Sequence, residues 1–278
     1  MVLGAPNIES MGSSFLITLR EGLEASLIVA ILLTYLTKTN RKADARYVWW
    51  GTAVAILSCL VVGTIVYLAL DGLNGKVEYA TEGTIALVAA AVLTQMIFWM
   101  RKNSQNLSVE LRAKVDKSAK TALFTIAFVA VVREGLETVL FLLSAETTST
   151  SGSSVVIGGL IGLVAAVALG VAIFAGGRKI DIKKFFTVTA VLLILFAAGL
   201  AGKSVHEYRE FFGWENGWLM QPAWTVDSGM WSSGTFYDFM KGFFGWHKAA
   251  ENIRVITYFV FLAPTLYFYL RKPVKSAA

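Results

Sequence analysis

A chain of 278 residues with 56% hydrophobic residues, only 16% charged ones and a mean hydropathy of +0.62 is too apolar for a water-soluble domain and reads as a polytopic membrane protein. Its net charge of +6 does not point to nucleic acid, because the lysines and arginines gather in short loops between apolar runs, the distribution that sets orientation in a membrane. The single Cys59, inside an apolar run, excludes an internal disulfide and reads as a small buried hydrophobe.

Residues Met1 to Ser14 contain Glu9 and no lysine or arginine, so the positive segment of a cleavable secretory signal is missing. Seven apolar stretches follow, at about 13–37, 47–70, 79–100, 121–143, 154–175, 185–202 and 254–270, and they read as membrane-spanning helices. The loop after the first carries Lys38, Arg41, Lys42 and Arg46, and the loop after the third carries Arg101, Lys102, Arg112, Lys114, Lys117 and Lys120. Arg178, Lys179, Lys183 and Lys184 follow the fifth, and Arg271, Lys272 and Lys275 follow the seventh. The intervening loops hold Asp71, Lys76 and Glu78, or Glu146 alone. This alternation predicts an all-α polytopic membrane protein of seven transmembrane helices, amino end outside and carboxyl end inside.

The first stretch contains Arg20-Glu21-Gly22-Leu23-Glu24, and the fourth repeats the same letters as Arg133-Glu134-Gly135-Leu136-Glu137, with Phe15 and Phe128 at the same place before each copy. Each charge near a bilayer centre costs roughly 2.5 to 3.5 kcal/mol on insertion scales, so six at matched positions need a reason. On a helix, Arg20 and Glu24 lie about 40° apart and Glu21 and Glu24 about 60° apart, so the three heads share one narrow face. The spacing pairs Arg20 with Glu24 and leaves Glu21 without a local partner, and it treats Arg133, Glu137 and Glu134 the same way. A packing role needs one ion pair per copy; the second acid in each would then be a penalty without purpose. Brought together, the two copies carry a formal surplus of two negative charges, which points to a path for a metal cation.

The copies lie three spans apart, so they run in opposite directions. The chain is therefore expected to hold two inverted three-helix repeats, about 13–100 and 121–202, with an extra helix at about 254–270, in one transmembrane domain over residues 1–278. Sites in such architectures lie near the midplane, where the repeats meet. The twelve-residue spacing of Gly51 and Gly63 recurs in Gly158 and Gly170, as positions for close helix packing rather than ligand contact.

The third stretch opens with Glu82-Gly83. Two readings of Glu82 stand side by side: a carboxylate near a helix start beside the cap-like Thr81, and an outer-vestibule acid that attracts cations. Met96 and Met100 at its far end read as packing. Residues 203–252 form the only long segment outside the spans and hold Trp214, Trp218, Trp224, Trp231 and Trp246. Phe236, Phe239, Met240, Phe243 and Phe244 follow a helical period there, which predicts a piece lying flat on the outer interface as a lid or collar. Both histidines are in this segment; a helical His206 with Glu207 and Glu210 is either an outer metal-capture site or a set of solvated polar residues at a span end.

With both motifs placed, the chain resembles the oxidase-dependent iron transporter family, which includes fungal high-affinity iron permeases and bacterial ferrous-iron permeases. The resemblance covers nearly the whole chain. It implies iron as the transported ion with no permanently bound cofactor, a multi-pass protein of the cytoplasmic membrane, and extracytoplasmic partners that oxidise or deliver iron. It implies that Glu21, Glu24, Glu134 and Glu137 carry the metal, with Arg20 and Arg133 beside them and Glu82 as a further acid. Hard oxygen donors suit ferric iron well and ferrous iron, manganese or magnesium acceptably, and argue against copper. Transport of another cation such as lead or manganese stays open. An intramembrane carboxylate-bridged iron enzyme is disfavoured, because such sites add histidines and no span contains one.

Overall fold

The computed structural model describes residues 8–70, 73–103, 120–148, 152–174 and 182–271. Arg112, Lys114, Lys117, Arg178, Lys179, Lys272, Lys275 and Asp71 from the loop pattern lie outside the described residues. The apolar runs form helices α1 (Ile8–Lys38), α2 (Ala45–Leu70), α3 (Lys76–Asn103), α4 (Lys120–Thr148), α5 (Gly152–Phe174), α6 (Ile182–Phe212), α7 (Thr235–Phe244) and α8 (Asn252–Leu270). Helix is what an apolar medium demands, because each backbone N–H and C=O is satisfied within its own segment. Among the described residues five helices are long and apolar enough to cross a membrane: α2, α3, α5, α6 and α8. The two that carry the charged motifs, α1 and α4, are 31 and 29 residues long.

The helices pair in a pattern that survives exchange of one half for the other. α1 lies along α5 as α4 lies along α2; α3 lies along α6, and α1 meets α4. Exchanging α1 with α4, α2 with α5 and α3 with α6 maps the first two pairs onto each other and the last two onto themselves. The close contacts follow the same rule. A side chain at Gly158 of α5 would strike Met11 and Ser14 of α1, and one at Gly51 of α2 would strike Phe124, Ala127 and Phe128 of α4. Met11 and Phe124 stand at the same distance before their respective motifs. Gly170 against Ser26 and Gly63 against Val139 repeat the correspondence, so the glycine echo is a packing device, small residues letting backbones approach.

α6 runs on past the expected end of its span. It continues unbroken to Phe212, so Lys203, His206, Glu207 and Glu210 lie on its last turns and the collar begins after it. The charges that suggested an end are instead paired across to neighbouring elements: Lys203 Nζ is 2.8 Å from Glu82 Oε2 on α3, and His206 Nδ1 is 2.9 Å from Glu251 Oε1.

The collar is stitched by backbone bonds, Ala223 N to Ala250 O at 2.8 Å and Val226 N to Lys248 O at 2.9 Å, around an isolated antiparallel bridge between Pro222 and Glu251. Its tryptophans divide into two groups, Trp231 joining the first at 5.2 Å from Trp246. Trp224 and Trp246 stack at 5.0 Å, each donating its indole N–H to a backbone carbonyl. Trp214 and Trp218 stay exposed, the disposition expected of rings at headgroup level. The expected amphipathic helix is α7, and its buried Phe243 rests on Gly12 of α1. The collar is therefore fastened to the first motif helix as well as resting at the end of the bundle. Burial would raise the Glu251 carboxyl, but His206 and Arg209 beside it bring it down to about 2, so it stays ionised and holds the collar to α6. Burial lowers the His247 imidazole to about 4, which keeps it neutral near the buried Arg254.

Candidate metal centre

α1 and α4 turn their charged faces toward one another. On α1, Arg20 Nη1 donates to Glu21 Oε1 at 2.7 Å, and Nη2 stands 3.1 Å from Glu24 Oε1. Spacing alone leaves Glu21 without a local partner, but in the structure Arg20 supplies one. A guanidinium is a planar fork with donors on two arms, and the long side chain folds back so that each arm takes one carboxylate. On α4 the expectation holds for the other pair: Arg133 Nε donates to Glu137 Oε1 at 3.0 Å. Among the described residues Arg133 has no ion pair with Glu134.

The two copies differ in exposure. The side chain of Arg20 is 2% exposed and that of Arg133 44%. The glycine at the centre of each motif lets a neighbour close on the helix: Gly22 receives Ala166 and Leu163 of α5, and Gly135 receives Cys59 of α2. Cys59 thus has the packing role expected of it.

Glu21, Glu24 and Glu134 each offer one oxygen, and the three lie within 4.8 Å of one another, all buried. They are the only such group of three among the described residues. Two oxygens bound to one ion at about 2.1 Å stand roughly 3 to 4 Å apart, so small side-chain adjustments bring this set to coordination distance. Oε2 of Glu21, of Glu134 and of Glu137 is buried and accepts no hydrogen bond. Buried acceptors left this way are costly, and a cation in the group of Glu21, Glu24 and Glu134 would engage two of these three carboxylates, Glu21 and Glu134. Glu137 flanks the group, held by Arg133.

The remaining candidates sit elsewhere. Glu82 pairs with Lys203, which lies 3.8 Å from Glu207 one turn further along α6. Thr81 does not cap α3; its hydroxyl donates to Val77 O at 2.7 Å. His206 faces Glu251 and Glu210 pairs with Arg209, so His206, Glu207 and Glu210 point at three different partners and do not converge as a capture site. Two side chains of α3 touch the motif arginines, Met96, which the sequence pattern gives to packing, and Trp99. Met96 Sδ accepts a bond from Arg20 Nη1 at 3.4 Å, and the Arg133 guanidinium lies 4.5 Å from the centre of the Trp99 ring.

Residues 11–270 match the model of the iron permease FTR1 family. The chain belongs to that family. Among its relatives is the ferrous iron permease EfeU of Yersinia pestis, 36% identical over 269 residues that cover 95% of this chain and 94% of that protein. The ferrous iron permease EfeU of Escherichia coli O6:H1 is 34% identical over 269 residues, 95% of this chain and 96% of that protein. No solved structure matches. These relatives are permeases and not enzymes, and with five helices long and apolar enough to cross a membrane among its described residues the present chain is an integral membrane permease of the same family.

Proposed function

We propose that this permease moves iron, in the ferrous form named for its relatives, with high affinity across the cytoplasmic membrane through the carboxylate group shared by α1 and α4. The observation that carries the reading is the buried convergence of Glu21, Glu24 and Glu134 from two copies of one motif, with acceptors unused by the protein. Four acids and two arginines leave a surplus of two negative charges, the complement of a dication. Glu137 joins as a fourth ligand when Arg133 releases it, and Glu82 attracts cations from the outer vestibule.

In this reading all seven long helices span the bilayer, and α1–α3 and α4–α6 are inverted repeats with α8 added. The amino end is outside, the carboxyl end inside, and the whole chain works as one unit. The exchange symmetry of the helix pairs supports the repeats, and in this reading the metal group lies near the midplane, where such repeats meet. Extracytoplasmic proteins deliver or oxidise the iron.

Proteoliposomes containing the purified chain, loaded with a ferrous-iron-sensitive dye, test the proposal. Iron should accumulate faster than in empty vesicles, with manganese and lead competing only in large excess. Equal rates with and without protein would remove the iron reading, and preferred uptake of manganese or lead would reassign the cargo.

A further inference from the structure

Both motif arginines have an uncharged partner besides their glutamates, and both of these partners come from α3. Met96 and Trp99 stand three residues apart, on one face of that helix. Met96 Sδ accepts from Arg20, and the Trp99 ring lies under Arg133. The pairing crosses the repeats: one helix face serves the arginine of α1 and the arginine of α4.

An arginine beside a metal-binding carboxylate poses a difficulty. When the carboxylate turns to the cation, the guanidinium loses its counter-charge, and a cation left unpartnered out of water is strongly destabilised. If nothing else holds it, the arginine keeps its glutamates and competes with the incoming metal. A sulfur or an aromatic face is attractive to a guanidinium without binding iron(II) strongly in this oxygen-rich setting. We propose that Met96 and Trp99 are positioning residues that hold Arg20 and Arg133 when Glu21, Glu24 and Glu137 turn to iron. Their removal weakens iron binding without touching a ligand. The inference rests on the transport reading above.

The test is iron(II) binding by the purified chain under anaerobic conditions, by calorimetry, in parallel with vesicle uptake. Trp99→Phe and Trp99→Leu both shrink the side chain, but only phenylalanine keeps an aromatic face. Trp99→Leu should bind iron about three- to tenfold more weakly, with Trp99→Phe close to the unaltered chain. Met96→Leu, which keeps volume but removes the sulfur acceptor, should shift affinity in the same direction. Phe98→Leu serves as a control on the same helix, because Phe98 packs on Tyr269 at 6.3 Å and touches neither arginine; its affinity should not change. Equal loss in Trp99→Phe and Trp99→Leu, or equal loss in Phe98→Leu, would reduce Trp99 to packing and overturn the inference. If the unaltered chain binds iron but vesicles take up none, the transport reading fails while the Phe–Leu comparison still decides this one. Absence of binding by the unaltered chain would overturn both.

Discussion

Glu134→Gln is expected to cut iron uptake by at least about 100-fold at an unchanged amount of inserted protein. Glutamine keeps the shape and one oxygen donor but removes the charge, so the surplus of two negative charges falls to one. Loss of even an outer-shell partner costs about 10- to 100-fold in metal affinity, and Glu134 is one of three direct candidates with an oxygen that nothing in the protein uses. Glu21→Gln and Glu24→Gln should behave alike. Glu137→Gln should lose less, because Glu137 is engaged by Arg133 and lies at the flank of the group. Glu82→Gln should lose least, since Glu82 sits with Lys203 and Glu207 away from the three. A uniform loss across all five variants, measured against quantified membrane insertion, would contradict the ranking.

The second large effect concerns stability. Arg20 is buried and touches two buried carboxylates, so Arg20→Met strands both, and breaking a buried ion pair from one side costs about 3 to 5 kcal/mol. Arg133 is 44% exposed with one ion pair, so Arg133→Met should cost about 1 kcal/mol or less. Thermal unfolding in detergent and folded yield should therefore separate two substitutions that are identical in sequence terms. Adding Glu21→Gln to Arg20→Met should recover part of the loss, because one stranded charge is removed. Equal losses at the two arginines would mean that their different burial does not matter to folding.

The helical form of the motif-bearing runs and the sharing of one face by their charges followed from residue order and helical geometry alone. Both features concern backbone periodicity, which residue order encodes directly. The partner of Glu21 was not legible in this way. Spacing rules place adjacent side chains on diverging directions, but an arginine has enough reach to double back. Met96 and Trp99 were hidden for a different reason. On an apolar helix a thioether or an indole has the same signature whether it fills space or receives a guanidinium, and only the docking of α3 against α1 and α4 distinguishes the two.

The continuation of α6 to Phe212 was hidden because Lys203, Glu207 and His206 look like a span meeting water. Their partners, Glu82 and Glu251, are 121 and 45 residues away in the chain, and long-range charge pairing leaves no local trace. The glycines show the opposite case. Gly51 and Gly158 carried a spacing too common to interpret alone, and it became meaningful once each was found against the matching turn before a motif.

In the proposed route, carboxylates of α1 and α4 take one iron between them. X-ray absorption on the purified, iron-loaded chain tests it most directly, with the bound metal counted per chain. One ion in a sphere of oxygen ligands only is predicted, lost when Glu21, Glu24 and Glu134 are all changed to glutamine. A nitrogen or sulfur ligand in the first sphere, or the same ion retained by the triple variant, would contradict it.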